Sequence, residues 1–245
     1  MLCLIIFIAI ILVPLYRKAP PKIALPVKGR IAIVLDDWGY NQNNLGIAQQ
    51  IKLPLTCAVL PNLKDTSVVA QKLHKLGNEI ILHLPMEPKE ARRLEKDTIF
   101  ASMDEKELGK IIDQDLANLV FAQGVSNHMG SRVTENIKAS TLVLQEIKKR
   151  KLYFLDSFVT AASVCAPLAK KMKLRFAKRD VFLDNQSNPE YIRSQINALK
   201  KIASRQGLAI GIGHDRENTL LVLKEMLPEL VKEGYKFVFV SEIAK

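Results

Sequence analysis

Aromatic side chains make up only 6% of the sequence, with a single tryptophan, Trp38. No basic stretch carries interleaved aromatics, so the stacking surface that single-stranded nucleic acids use is not encoded. Cysteine is scarcer still: Cys3, Cys57 and Cys165 are odd in number and far apart. That excludes a disulfide framework and a thiolate zinc site, and leaves Cys57 and Cys165 as small buried hydrophobes. Charge is missing altogether before Arg17, and there are only four histidines. No internal repeat or low-complexity segment divides the chain.

What is present is ordinary for a globular protein: 245 residues, 48% hydrophobic and 25% charged. The length suits one α/β domain with a full core better than two domains. The net charge of +11 sits entirely on the part of the chain from Arg17 onward. Such a surface favours polyanions or anionic headgroups. Clusters such as Lys148, Lys149, Arg150 and Lys151 read first as solvated helix ends and second as a response to an anionic envelope. No nucleic-acid partner is expected.

Met1 to Tyr16 is apolar, followed by Arg17, Lys18 and a Pro-rich tether containing Pro20, Pro21 and Pro26. Sixteen helical residues reach about 24 Å, short of the roughly 30 Å hydrocarbon core. The stretch is therefore a short signal-anchor or the apolar part of a signal peptide. No small-x-small cleavage site comes after it. The expectation is a retained anchor over residues 1–29, which places the barrel of residues 30–245 in the periplasm or cell envelope at the inner membrane. Arg17 and Lys18 point the other way, because the positive-inside rule would keep the domain downstream of them in the cytoplasm.

From Arg30 onward, short apolar runs alternate with helical patterns. The runs are Ile31–Leu35, Leu55–Leu60, Glu79–Leu82, Gly124–Asn127, Leu152–Leu155, Leu174–Phe176, Leu208–Ile212 and Phe237–Val240. Asp104 with Glu107 forms a capping-box pattern for a helix running to Gly124. Asn188 with Pro189 opens another that stops at Gly207, and a third spans Asn218 to Glu233 before Gly234. This alternation means a parallel sheet covered by helices, and seven or eight units suggest a closed or nearly closed barrel.

Polar residues that can bind a metal or move protons come directly after these runs. They are Asp36 and Asp37, His83, Asn127 and His128, Asp156, and His214. In a parallel barrel such positions share the C-terminal rim, where catalytic groups gather. Alone each is weak. Asp36-Asp37 also reads as a strand-end turn, a lone histidine is more often structural, and the prolines around His83 also build a rigid loop. Together, two carboxylates and three histidines suffice for a metal, an acid and a base. The fourth histidine, His74, lies in the helical stretch Asp65–Leu76 and reads as a surface residue.

The strings IVLDDWG (33–39), HLPMEP (83–88), NHMGS (127–131), FLDS (154–157), RDVFLDN (179–185) and GIGH (211–214) resemble the divergent polysaccharide deacetylases, a remote branch of the NodB-type enzymes. The likeness covers Arg30 to Ile243. It implies an irregular (β/α) barrel of about seven parallel strands and a divalent metal, zinc, held by an aspartate and two histidines. It also implies that Asp36 is the base and Asp37 a metal ligand, with His83 the first histidine ligand. The parent pattern has a second histidine four residues on, where this chain has Glu87. His128 then stands as the replacement ligand, with Glu87 a candidate fourth ligand or neighbour. His214 matches the late histidine that acts as general acid.

The reading this supports is hydrolysis of an N- or O-acetyl group on an envelope polysaccharide. Asn127, Ser131 and Asp156, with Glu87, are expected to contact the carbohydrate substrate or support the ligands. A catalytically inactive barrel that binds glycan or a partner is the alternative, favoured by the substituted metal motif. A metal-free glycosidase fits poorly, since its two carboxyl groups must lie at least about 5 Å apart across the sugar.

Overall fold

The computed structural model describes residues 27–245. The expected membrane anchor falls on residues outside the described ones. Among the described residues no helix is long and apolar enough to cross a membrane.

The chain alternates strands and helices as β1 (Gly29–Trp38), α1 (Leu45–Ala48), β2 (Thr56–Val59), α2 (Thr66–Lys75), β3 (Glu79–Met86), α3 (Glu105–Ala117) and β4 (Ala122–Met129). Then come α4 (Ser131–Glu135), α5 (Ile137–Lys149), β5 (Tyr153–Asp156), α6 (Cys165–Met172), β6 (Phe176–Lys178) and β7 (Val181–Phe182). The last part holds α7 (Pro189–Gln206), β8 (Leu208–His214), α8 (Glu217–Lys232), β9 (Tyr235–Phe237) and a 3₁₀ turn at Val240–Glu242. All pairings are parallel, in the order β6-β5-β4-β3-β2-β1-β8-β7, with β9 against the start of β1.

No ladder joins β6 to β7 among the described residues, so the sheet is a curled half-barrel rather than a closed ring. The strands number nine against about seven expected. The excess is β7, two residues long, and β9, which pairs only with the first three residues of β1.

Alternation along each strand divides the core in two. On β1, Ile31, Ile33 and Leu35 face the covering helices, while Ala32 and Val34 face the barrel interior beside Ile81, Leu155, Ile210 and Ile212. Gly124 clears room there for the Tyr153 ring, 2.5 Å from where a Cβ would sit. The floor is polar. Buried Glu79 accepts hydrogen bonds from Thr56 Oγ1 (2.6 Å), Tyr153 Oη (3.1 Å), Val240 N (3.1 Å) and Ser241 N (3.2 Å). These bonds also explain why Phe237–Val240 does not continue as a strand. The chain turns beneath the barrel, and its N–H groups satisfy Glu79 in place of a ladder.

The helix signals read as expected at their starts. Asp104 and Glu107 form a reciprocal capping box, and Asn188 caps α7 through Glu190 N and Tyr191 N. The helix expected to reach Gly124 stops at Ala117, because Ala122 already begins β4.

Candidate metal centre at the strand ends

The interior phase of the strands ends in polar side chains. Asp36 follows Ala32 and Val34 on β1, and His83 follows Ile81 on β3. Ser126 and His128 occupy the same phase of β4, and His214 follows Ile210 and Ile212 on β8. Register completes the grouping: Asp36 pairs with His214, and His83 with Ser126.

Simple alternation would turn Asp37 outward. Instead it takes a left-handed backbone, φ +65°. Its carboxylate thereby returns to the interior, at a backbone cost of roughly 1–2 kcal/mol. Asp37 Oδ1 lies 3.0 Å from His128 Nδ1 and 3.3 Å from His83 Nε2. His83 Nε2 is also 3.6 Å from Asp36 Oδ2. The two imidazoles meet edge-on, with centroids 5.0 Å apart. Ser126 Oγ, 2.8 Å from His83 Nδ1, holds that ring in orientation.

One ligand atom from each of Asp37, His83 and His128 lies within 4.8 Å of the others. Two nearby atoms, Asp36 Oδ1 and His128 Nε2, are buried without a hydrogen-bond partner among the described residues. Unpartnered buried polar atoms are rare and call for a ligand or water. A carboxylate with two imidazoles is a donor set that suits a zinc-class ion, so the residues present fit the metal.

Charge at the centre is divided unevenly. Burial pushes the Asp36 carboxyl above its usual range, against the pull of His83. Burial acts the same way on Asp37, but hydrogen bonds from His128 and His83 overcome it and hold that carboxyl well below the usual range. One carboxylate is thus fixed as an anion while the other keeps its affinity for a proton.

His214 has a partner that the strand-end pattern does not select. Its Nδ1 lies 2.7 Å from Asp184 Oδ1, and its backbone N–H donates to Asp184 Oδ2 at 2.9 Å. Thr219 Oγ1 donates to the same carboxylate at 2.7 Å. Burial alone would lower the His214 pKa, but Asp184 reverses the sign and raises it. The Phe182 ring stacks parallel to the imidazole, and the Arg179 guanidinium lies 3.6 Å over Phe182. Asp184 sits just after β7, a strand too short to be read from the sequence. The string at 179–185 is the only sequence signal for it. Next along, the Asp215 carboxyl accepts from Asn44 Nδ2 at 2.8 Å, and burial pushes its pKa up to about 6.

The remaining expected site residues brace loops around the centre. Asn127 and Asp156 lie on the outward phase of β4 and β5. Asn127 donates to Met129 O and accepts from Ser157 N, while Asp156 accepts from Phe158 N and Ser163 Oγ. Ser131 Oγ accepts from Lys89 N at 2.9 Å. The Glu87 carboxylate is taken up by Ala101 N (3.0 Å) and Arg132 (3.1 Å), and does not join the Asp37 cluster. His74 is exposed and stacks on Phe121.

Comparison with known proteins places the chain in a family and a fold. An uncharacterized Escherichia coli K12 protein, YibQ, is 36% identical over 202 residues, 82% of this chain and 63% of that protein. This chain thus spans less than two thirds of that relative's length. A crystal structure of an uncharacterized Agrobacterium tumefaciens C58 protein superposes with a TM-score of 0.83 at 25% identity, covering 89% of this chain and 90% of that one. A family 4 acetyl xylan esterase from Clostridium thermocellum, solved with a cobalt ion, shares the fold with a TM-score of 0.52 at 14% identity, covering 87% and 89%. The family model described as divergent polysaccharide deacetylase matches residues 33–244. That span holds Asp36, Asp37, His83, His128 and His214 in one continuous match, and the chain belongs to the divergent polysaccharide deacetylase family.

Proposed function

We propose that the protein is a metal-dependent hydrolase that removes N- or O-linked acetyl groups from a cell-envelope polysaccharide. The observation that carries this reading is the Asp37–His83–His128 cluster beside the unpartnered Asp36 Oδ1, in a chain of this family. Asp37, His83 and His128 would hold the ion, zinc by the nature of the donors. When bound, that ion supplies Lewis acidity at the acetyl carbonyl.

The chain's own groups do the rest. Asp36 Oδ1 accepts the proton of the attacking water, a task suited to a carboxylate whose proton affinity burial has raised. His214 delivers a proton to the departing amine or alkoxide, and Asp184 keeps its imidazolium charged and aimed. Ser126 fixes the His83 ring, and the loop bonds of Asn127 and Asp156 hold the rim on which the substrate rests. The apolar run Met1–Tyr16 tethers the barrel to the inner membrane, with the catalytic domain in the periplasm.

A second reading, an inactive metal-binding barrel that holds glycan or a partner, is favoured by Glu87. It stands where the parent pattern has a histidine, and its carboxylate is engaged elsewhere. One experiment separates the two: metal analysis of the full chain purified without chelator, paired with acetate release from acetylated envelope glycans. Zinc-loaded protein that releases acetate supports the hydrolase. Zinc-loaded protein that releases none from any acetylated glycan or simple acetyl ester overturns it.

A further inference from the structure

We propose that the end of the barrel opposite the metal centre is a docking face for an anionic phospholipid surface. This does not rest on the deacetylase reading, but it does rest on the membrane tether proposed with it. Because every strand is parallel, all strand starts gather at one end, and helices α2, α5, α6, α7 and α8 run back to it. Their last turns carry Lys75, Lys148, Lys171, Arg205 and Lys232. Helix dipoles account for cations in those places.

They account as well for Lys173, the C-cap of α6, and for Lys151, next after the α5 C-cap, but not for Lys28, Lys236 and Lys245; all five are exposed and lie outside the helices at the same end. Among the described residues none of these five forms an ion pair. On the metal-centre side Lys89, Lys96 and Arg132 pair with Glu135, Asp97 and Glu87, although Lys64 there forms no pair among the described residues, and at the basic end Lys232 pairs with Glu229.

Aliphatic side chains stand among those lysines. Val27 leads into β1, Leu76 is the C-cap of α2, Val120 leads into β4 and Val231 lies in the last turn of α8; they are 59%, 40%, 76% and 44% exposed. Interleaved lysines and aliphatic tips suit a lipid headgroup layer, where ammonium groups meet phosphates and apolar tips enter the acyl boundary. A nucleic acid or anionic glycan would use the charge but gives four exposed aliphatic side chains nothing to contact.

The chain itself leads to this face. Lys28 N donates to Gly234 O at 3.0 Å, and Gly29 pairs with Tyr235. The ten residues 17–26 between the apolar run and Val27 span at most about 35 Å even when fully extended. A bilayer holding that run lies within reach of the basic end, and the metal centre then opens away from the lipid toward bulk polymer.

The test uses the full chain in vesicles of phosphatidylcholine alone or mixed with phosphatidylglycerol, with amine-reactive labelling read by mass spectrometry. Lys151, Lys173 and Lys236 should be protected severalfold in the anionic vesicles only. Labelling should recover in 1 M salt, where the Debye length falls to about 3 Å. Lys64, Lys89 and Lys96, on the metal-centre side, should label equally in both vesicles. Equal protection in the two lipid mixtures, or protection on the metal-centre side, would overturn the proposal. In the triple variant Lys151→Glu, Lys173→Glu, Lys236→Glu with an unchanged circular dichroism spectrum, the anionic-lipid protection of Lys28 and Lys245 should fall at least fivefold. Unchanged protection there sinks the idea. So does protection of the same lysines by a DNA duplex at physiological salt when phosphatidylglycerol vesicles give none.

Discussion

The Asp184 carboxylate holds His214 from two sides: Oδ1 lies 2.7 Å from the ring Nδ1, and Oδ2 accepts the backbone N–H at 2.9 Å. One side chain thereby sets the charge, the tautomer and the position of the proposed acid. Replacing Asp184 by Asn removes the group that raises the His214 pKa. The acid must be protonated to work, so the alkaline limb of the rate profile should move to lower pH in Asp184→Asn. A profile that keeps its limb in place would show that His214 does not carry that proton.

Asp36→Asn and His214→Ala should keep the fold and the metal while losing turnover. General acid–base contributions of roughly 10²–10⁴-fold set the size of each loss. Steady-state rates on an acetylated glycan, with zinc content measured on the same samples, test this. A mutant that retains more than about a tenth of the rate would remove its residue from the mechanism.

Asp37→Ala, His83→Ala and His128→Ala should each lose stoichiometric zinc. Ser126→Ala should leave the three ligands present but the His83 ring free to turn. Loss of such a supporting hydrogen bond weakens metal affinity roughly 10–100-fold. Competition against a chromophoric chelator measures both effects, and full zinc in all three ligand variants would show the site lies elsewhere.

Much of this site is legible in the sequence. Parallel strands place their ends on one rim, so position alone groups Asp36, His83, His128 and His214. Asp37 shows where that logic stops. Period-two alternation points it outward, and only a left-handed backbone returns it to the interior. Ser126 escapes notice because a serine within a strand carries no sign of the imidazole opposite it. Asp184 escapes because two residues of β7 are too few to show a pattern. The Phe237–Val240 run misleads for a different reason. A buried glutamate on β3 competes for its N–H groups, and nothing local to that run announces it.

Away from the metal centre, Asp115 is fully buried on α3. Burial pushes its pKa up to about 7, with Asn62 opposing and nearby Asp97 adding to the rise. In the unfolded chain it ionises near 4. Between those values the folded state holds the proton more tightly, so this group's contribution to stability is present at acid pH and fades as pH rises through 7. Urea unfolding at pH 5 and pH 8 should show a loss of order a few kcal/mol in the wild type. Asp115→Asn should lack that component. Equal pH slopes in the two proteins would show that Asp115 ionises normally.

A chain beginning at Lys28 should remain soluble and give a cooperative thermal transition by circular dichroism. Every described strand starts after that point, and the Pro-rich stretch before it offers little to bury. An aggregated or non-cooperative product would show that the preceding residues belong to the fold.

The place of β1 in the sheet carries a kinetic consequence. The first strand in the chain lies between β2 and β8, and its partner on one side, Leu208 opposite Arg30, is 178 residues away (208 − 30). During synthesis one edge of β1 therefore waits, unpaired, until nearly the whole chain has emerged. Closing so long a loop is slow, and an open strand edge is a template for association with other chains. Most of the sheet can assemble on the β2 side from near neighbours in sequence, but the edge that brings His214 beside Asp36 forms only once β8 has emerged. The rate at which the protein becomes competent is therefore set by the arrival of β8, and a holding chaperone that covers β1 would act on this step.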